Sequence, residues 1–549
     1  MNAAPALPFE PQSPEDFRTL VSSLNTAQRR QLEAALSYHA LLQPGAVLRV
    51  NVTVGEITQI PALTDASTLP GGNAGGATVL AEVFVLSTST GSQAAADEVA
   101  RTVRLAHPDA SPATTRPPEQ FSIPRRVYRE LEKRGPVLLD DVREFLMKRR
   151  EHRSSEPIVR YSTDPEHSVL TRAFEEWGKT PSASPAGAAP AVLIGMHWLQ
   201  TGGAERWAVE SVQIAKDAGY LPIVITDQNS VHPWLDRPEL EGCVVITLSF
   251  NHHEHQIDVA FAHALLENFN VKGIVLHHSQ YLYQMLPWIT LHRPDVRVMD
   301  SLHIVEYLAG GYPGISVHFD EYIDTHHVIS PQLVEWLSAV QGVEEHKIAL
   351  APLTALTVDS AGAFAPRDTS KPITVAFIGR LSRQKRPDVF LGLVRKLRQQ
   401  GTPFRAILHG DGEMRGIVDG LIAQFGLSGL IEQRLEDTPV GTTLAESDVL
   451  VVTSINEGIT LTTFEAIAAG IPVISTDVGS QRTIVDGGEL LPRQARPFIK
   501  QAAQLIAQYD ASDATREIAW NAQLARVTEF SALPSAHDWM KELFKSWQV

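Results

Sequence analysis

Short apolar runs alternate with amphipathic stretches along most of this chain, and the series starts twice. The apolar run 191–196 ends at a glycine-containing loop and leads into an amphipathic segment at 205–218; strand-like runs recur at 221–226, 273–277 and 296–299. After Pro366 a second series predicts strands at 373–378, 406–409, 449–453 and 472–475, with helices at 387–399, 414–425 and 462–469 between them. Short, continuously apolar strands separated by helices indicate parallel sheets covered on both faces. The fold class expected is therefore α/β, with two units of similar design. Open sheets of this kind bind ligands at the carboxyl ends of their strands, so two facing units would enclose a cleft suited to a substrate.

Upstream the pattern differs. Residues 13–42 carry apolar positions at helical spacing, with Ser13 as a cap and Pro14 at the first helical position. The stretches 46–60 and 77–86 are rich in valine, isoleucine and threonine and predict strands. The glycine-rich loop 69–76 lacks the lysine and serine or threonine of a nucleotide-binding P-loop and reads as a turn. Residues 124–153 predict a basic helix, with Arg125, Arg126, Lys148, Arg149, Arg150 and Arg153; a solvated face is the reading preferred over an anionic-lipid contact. A linker of small residues and proline follows at 179–190. The expected divisions are an N-terminal α+β region at 1–115, a helical basic segment with linker at 116–190, α/β domains at 191–360 and 361–530, and a final helix at 531–549.

Composition narrows the function classes. A net charge of -16 over 549 residues disfavours non-specific nucleic-acid binding, because a phosphate backbone would be repelled. The single cysteine, Cys243, allows neither an internal disulfide nor a thiolate metal site and is expected as a buried strand residue. Neither a secretory signal nor an apolar run of about 20 residues is visible. A cytoplasmic protein is the expectation, with the N-terminal region left open for peripheral contact with the inner face of a membrane or with an assembly complex.

The segment 448–475 carries the most chemistry. A buried strand runs into a loop with Glu457 and Gly458, then into a helix with Glu465 near its first turns, closed by Gly470-Ile471-Pro472. A helix beginning at Thr460, Leu461 or Thr462 aims free N–H groups at the cleft, which suits a diphosphate. Glu465 can accept hydrogen bonds from paired hydroxyls such as those of a ribose, and Glu457 from a sugar. In 375–388 a strand ends at Gly379, Arg380 follows, and Lys385 comes five residues later. Two cations across a short loop can clamp a diphosphate, guanidinium as a fork and ammonium as a point charge. Arg383 and Arg386 read as solvated neighbours. In 198–206, Gly202-Gly203 permits close backbone approach to a ligand, and Glu205 stays open between helix cap and acceptor contact.

These residues together resemble glycosyltransferase family 4, a group of retaining enzymes with the GT-B architecture of two Rossmann-like domains facing a cleft. The resemblance spans about 192–547 and rests on Glu457-x7-Glu465, Ala466, Gly470, Pro472 and Val473, on Gly379-Arg380-Leu381 followed by Lys385, and on Gly202-Gly203-x-Glu205. It implies that 191–360 is the acceptor side, that 361–530 holds the donor, and that the final helix crosses back to the first domain. Glu465 would bind the ribose, Glu457 the donor sugar, Gly203 the phosphates or acceptor, and Arg380 with Lys385 the diphosphate. His303, after a strand end, would face the donor sugar, with His277 and His278 as competitors. Gly410-Asp411-Gly412 also matches a family loop, though a tight turn explains it equally well. The chain departs from the family at 350–359, where Asn-Gly-Val-Asp is usual, and in the loop after Glu457.

The implied reaction moves a sugar from a nucleotide-diphosphate donor to a hydroxyl acceptor (a glycan or a lipid-linked acceptor), with retention and with no cofactor or metal. Polysaccharide or glycoconjugate synthesis is the expected setting. A sugar-nucleotide epimerase or hydrolase of the same fold, or a non-catalytic glycan or partner binder, are the alternatives.

Overall fold

The computed structural model describes residues 7–55, 78–91, 98–106, 135–154, 156–181, 185, 187–200, 202–228, 230, 232–250, 258–306, 310–353, 362–435, 437–458, 460–485 and 487–548. The loop 69–76, Arg125, Arg126 and residues 354–359 lie outside them.

The N-terminal unit consists of β1 (Phe9–Pro11), α1 (Pro14–Ser23), α2 (Thr26–Leu42), β2 (Val47–Gly55), β3 (Thr78–Ser87) and β4 (Glu98–Ala106). Its mixed sheet runs β1-β3-β2-β4, with β2 and β4 parallel. Asn25 and Gln28 form a capping box that starts α2. One face of the sheet then buries Leu48, Val50, Val52, Val83 and Val85 with Leu32 and Leu36 of α2. The same helix also touches the first α/β unit. Tyr38 donates to Asp258 at 2.7 Å, and Arg30 donates to Glu241 at 3.0 Å and to the Arg237 carbonyl at 2.8 Å.

A helix, α3 (Pro136–Ser154), follows. The first α/β unit then comprises β5 (Pro190–Met196), α4 (Gly203–Asp217), β6 (Leu221–Gln228), β7 (Val244–Phe250), β8 (Asn270–His277), α5 (Gln280–His292), β9 (Arg297–Leu302), β10 (Thr325–Val328) and β11 (Ile348–Leu350). Its strands are all parallel, in the order β11-β10-β9-β8-β5-β6-β7. Cys243 stands one residue before β7, half-buried, rather than inside a strand as expected; burial raises its thiol to about 12.

The second unit comprises β12 (Ile373–Ile378), α6 (Pro387–Gln400), β13 (Phe404–His409), β14 (Ile431–Arg434), β15 (Val449–Val452), α7 (Leu461–Ala468), β16 (Val473–Thr476), β17 (Leu490–Leu491), α8 (Ala495–Ala511) and α9 (Asp513–Ser531). Its parallel order is β14-β13-β12-β15-β16-β17. Every residue of β12 and β15 is buried, as strands covered on both faces require. The last helix, α10 (Ala536–Ser546), lies on the first unit: Tyr220 donates to the Phe544 carbonyl at 3.0 Å, and Trp539 stacks on His327 at 5.1 Å.

This is the GT-B arrangement, two Rossmann-like units with an added mixed α+β unit. The strand order reverses beside β5 in one sheet and beside β12 in the other. Crevices at such switch points take ligands, and the loops after β5, β8, β12 and β15 carry the residues singled out from the sequence.

Candidate functional site

Lys385 and Glu457 meet in the second unit. The Lys385 ammonium donates to Glu457 Oε1 at 2.6 Å, and Glu457 is only 5% exposed. Two loops are stapled together to achieve this. Ile455 N–H donates to the Gln384 carbonyl and Gln384 Nε2 to the Asn456 carbonyl, both at 2.9 Å. Thr453 Oγ1 donates to the carbonyls of Lys385 and Arg386 at 2.7 and 3.0 Å. The backbone at Gly379 has a positive φ of 153°, and the Lys385 chain runs alongside it. A Cβ at Gly410 would stand 2.1 Å from the Gly379 carbonyl, so the Gly410–Gly412 turn is the close-packed support of this loop. Arg380 is exposed at the carboxyl end of β12.

Arg386 corrects the expectation of a solvated neighbour. It is 1% exposed, and its guanidinium donates to the carbonyls of Thr453 and Ser454 and to Asp140 Oδ2 at 2.9 Å. Its φ of 50° is unusual for a non-glycine residue. Three sets of hydrogen bonds hold it there, directly before Pro387 at the start of α6. Asp140 belongs to α3, so the N-terminal region reaches the loop that carries Lys385. Burial raises the Asp140 carboxyl, and Arg386 opposes that rise.

Helix α7 begins at Leu461 with Thr460 at its N-cap. Thr460 is buried, and its hydroxyl has no hydrogen-bond partner among the described residues. Leu461 and Thr462 form the half-buried first turn, and Glu465 lies one turn further on. Burial raises the Glu465 carboxyl; Arg206, on α4 of the opposite unit, acts against that rise.

The two units touch at the same place. A Cβ on Gly458 would stand 2.5 Å from the His303 carbonyl, and Asn456 donates to the Val305 carbonyl at 3.1 Å. Gly458→Ala should therefore push the units apart at this seam. A misplacement of about 1 Å costs roughly a hundredfold in rate, so turnover should fall by that order with little change in melting temperature. Parallel kinetics and melts check this.

Across the seam, Gly203 is the exposed first residue of α4, with open space where its Cβ would be. Glu205 holds other side chains in place: Trp198 donates to it at 2.7 Å, and His197 Nε2 lies 2.9 Å from the same oxygen. Burial would raise the Glu205 carboxyl, but these bonds and the His197 charge lower it. Gly202 precedes it because a Cβ there would overlap the Glu205 carboxylate.

His303 is buried just after β9, with Nε2 3.2 Å from Ser301 Oγ. Its competitors differ. His277 Nε2 lies 2.9 Å from Ser211 Oγ, deep in the fold. His278 has a strained φ of 64°, stacks on Tyr312 at 4.5 Å and meets the His303 ring at 5.4 Å, while its Nε2 has no partner among the described residues. Among the described residues, no group of three or more His, Cys, Asp or Glu side chains is arranged to hold a metal ion.

The buried histidines make stability depend on pH. Desolvation lowers His232 and His278 to about 3, His327 to about 4, and His277 and His303 well below their usual value. Burial would also lower His326, but Asp300 at 3.1 Å and Asp320 at 3.0 Å outweigh it and raise it to about 9. In the first five, the unfolded chain takes up protons below about pH 6.5 that the folded chain refuses, so stability falls with pH. Glu33, Asp140, Asp227 and Glu465, raised by burial, oppose this, while carboxylates held low by hydrogen bonds, such as Glu205 and Asp320, reinforce it. His326 works in the other direction: its contribution is complete below about 6.5 and is lost as pH rises through 9. Each group contributes about 1.4 kcal/mol per pH unit within its window. Melts across pH should show a maximum near 6.5, and His326→Gln should flatten only the alkaline limb.

With this geometry in view, the second unit can be set beside known proteins. Residues 363–520 match the family model of glycosyl transferases group 1. The match contains Gly379, Arg380, Lys385, Glu457 and Glu465, so the two stapled loops and α7 all belong to the group 1 segment. The chain is 28% identical over 164 residues to the "Putative colanic acid biosynthesis glycosyltransferase WcaL" of Escherichia coli (strain K12), covering 27% of this chain and 40% of that protein. To the protein of the same name from Salmonella typhimurium it is 31% identical over 126 residues, covering 22% and 31%. The chain thus matches well under half the length of these curated relatives. Among solved structures, HepE of Anabaena in complex with UDP is similar, with 16% identity, 65% of this chain and 98% of that chain covered, and a TM-score of 0.49. The group 1 match and the relatives support a glycosyltransferase enzyme.

Proposed function

We propose that this protein transfers a sugar from a nucleotide-diphosphate donor to a hydroxyl of a glycan or lipid-linked acceptor, with retention of configuration and without a metal ion, in polysaccharide or glycoconjugate synthesis. The observation that carries this reading is the Lys385–Glu457 contact at 2.6 Å, made by two loops locked at one switch point. Lys385 supplies positive charge for a leaving diphosphate, Arg380 adds a forked donor, and the N–H groups of Thr460, Leu461 and Thr462 extend the cradle. Glu465 accepts from the ribose hydroxyls. Its raised carboxyl fits a group that waits, half-buried, for hydrogen-bond donors. Glu457 turns from Lys385 toward the hydroxyls of the sugar. His303, behind the Gly458 seam, contacts the sugar near its anomeric carbon, and Gly203 offers a backbone surface to the phosphates or acceptor.

Among the described residues we assign Glu457 to the sugar hydroxyls and no carboxylate to covalent attack, so attack by the acceptor on the face the diphosphate leaves is the mechanism we favour. The test is a panel of sugar nucleotides screened for thermal stabilisation, followed by product analysis with and without acceptor alcohols. Stabilisation by one donor class, with a new glycoside formed only when acceptor is present, is the expected result. Turnover without acceptor would replace transfer by isomerisation or hydrolysis.

A further inference from the structure

Helix α3 is turned inside out relative to an ordinary surface helix, which faces its apolar residues inward. Its acids point into the protein: Asp140 bonds Arg386, Glu144 pairs with Arg493, and Asp141 lies 3.2 Å from Arg496. Val137 and Leu139 pack inward with them, yet four large apolar side chains point out, with Leu138 48%, Val142 44%, Phe145 61% and Leu146 39% exposed. The spacing i, i+4, i+7, i+8 puts these four on one stripe. Arg149, at i+11, continues the stripe with its guanidinium over the Phe145 ring at 5.5 Å.

The surroundings of the stripe are basic. Arg149 is exposed on the stripe, and the sequence 148–153 around it is Lys-Arg-Arg-Glu-His-Arg, basic in a chain whose net charge is -16. A groove beside its first turn, next to Val137, is lined by Arg395, Lys396, Arg496 and Lys500. No helix among the described residues is long and apolar enough to cross a membrane. An apolar stripe flanked by cations on a non-spanning helix suits the interfacial layer of an anionic bilayer. A second copy suits it less: four side chains fall short of the roughly 800 Å² per partner that a stable interface buries, and pairing would bring two basic clusters together.

We infer that the outer face of α3 docks this protein on an anionic lipid surface, Leu138, Val142, Phe145 and Leu146 entering the interface, with Arg149 and the cations of the neighbouring groove meeting the headgroups. The same helix is pinned through Asp140 to Arg386, so docking would hold the Lys385 loop at a fixed disposition to the surface. The inference rests on α3 and the groove beside it and stands apart from the reaction proposed above.

The experiment is co-sedimentation of the full chain with vesicles of phosphatidylcholine alone and of phosphatidylcholine mixed with phosphatidylglycerol. Binding to the anionic vesicles only, weakened by salt and reduced about tenfold or more by Leu138→Glu with Phe145→Glu, is expected. Both positions are exposed, so an unchanged melting curve confirms that the variant folds. Failure to bind anionic vesicles, or binding indifferent to the two substitutions, overturns the inference. So does self-association of the wild type in solution that the same variant abolishes, which would assign the stripe to a second copy of the chain.

Discussion

Lys385→Ala is expected to slow donor turnover about 10²–10³-fold, the loss that follows removal of one preorganised group facing developing charge. The ammonium sits at the switch point of the second sheet, where the loops after β12 and β15 converge, and it donates to Glu457 at 2.6 Å. A diphosphate entering the cleft would exchange for that carboxylate, so the cation is already desolvated on one side and aimed before the donor arrives. The loss should fall mainly on kcat, because charge on the leaving group grows toward the transition state. Lys385→Arg keeps the charge but replaces a point charge by a planar fork, and it should recover only part of the rate. Arg380→Ala should cost less, because Arg380 is exposed and its field is screened by solvent. Steady-state release of nucleoside diphosphate, measured for the three variants with the donor found by thermal screening, checks the order. A Lys385→Ala enzyme within threefold or so of wild type would remove the ammonium from the mechanism.

Arg386→Leu should have the largest effect on stability. A buried guanidinium that is removed takes its hydrogen bonds from Asp140 Oδ2 and the Thr453 carbonyl, and leaves the Ser454 carbonyl with Thr476 Oγ1 alone. Breaking a buried ion pair from one side costs about 3–5 kcal/mol, which corresponds to a melting temperature lower by about 10 °C for a unit of this size. Turnover should fall as well, because Arg386 follows Lys385 directly and Thr453 binds both of their carbonyls. Asp140→Asn, which keeps the shape and one hydrogen-bonding oxygen, should cost less. Thermal melts of the two variants, read against wild type at one pH, check this. Equal melting temperatures for Arg386→Leu and wild type would mean the contact is not formed in solution.

The two α/β units were legible because parallel strands buried on both faces leave an unbroken apolar run. The sequences of β5, β12 and β15 carry that signal without help from tertiary context. Glu457, Lys385 and Glu465 could be singled out because each sits where a strand gives way to a loop or a helix begins. Arg386 was misread for a physical reason: an arginine beside a helix start ordinarily turns to solvent, and its burial depends on Asp140, about 246 positions earlier in the chain. No local pattern announces a partner that far away. The inverted polarity of α3 was hidden in the same way, since periodicity gives the two faces of a helix but not which of them meets protein. Thr460 and Glu205 owe their interest to burial and to unpaired or shared hydrogen bonds, which exist only once the loops are folded.

The claim on which the rest depends is that a nucleoside diphosphate binds between Lys385 and the start of α7. The most direct measurement is a crystal structure of the protein with a nucleoside diphosphate bound. The account predicts phosphate oxygens within hydrogen-bond distance of Lys385 Nζ and the N–H groups at 460–462, ribose hydroxyls on Glu465, and Glu457 released from its lysine. A nucleotide bound elsewhere, with the Lys385–Glu457 bond intact, would contradict it.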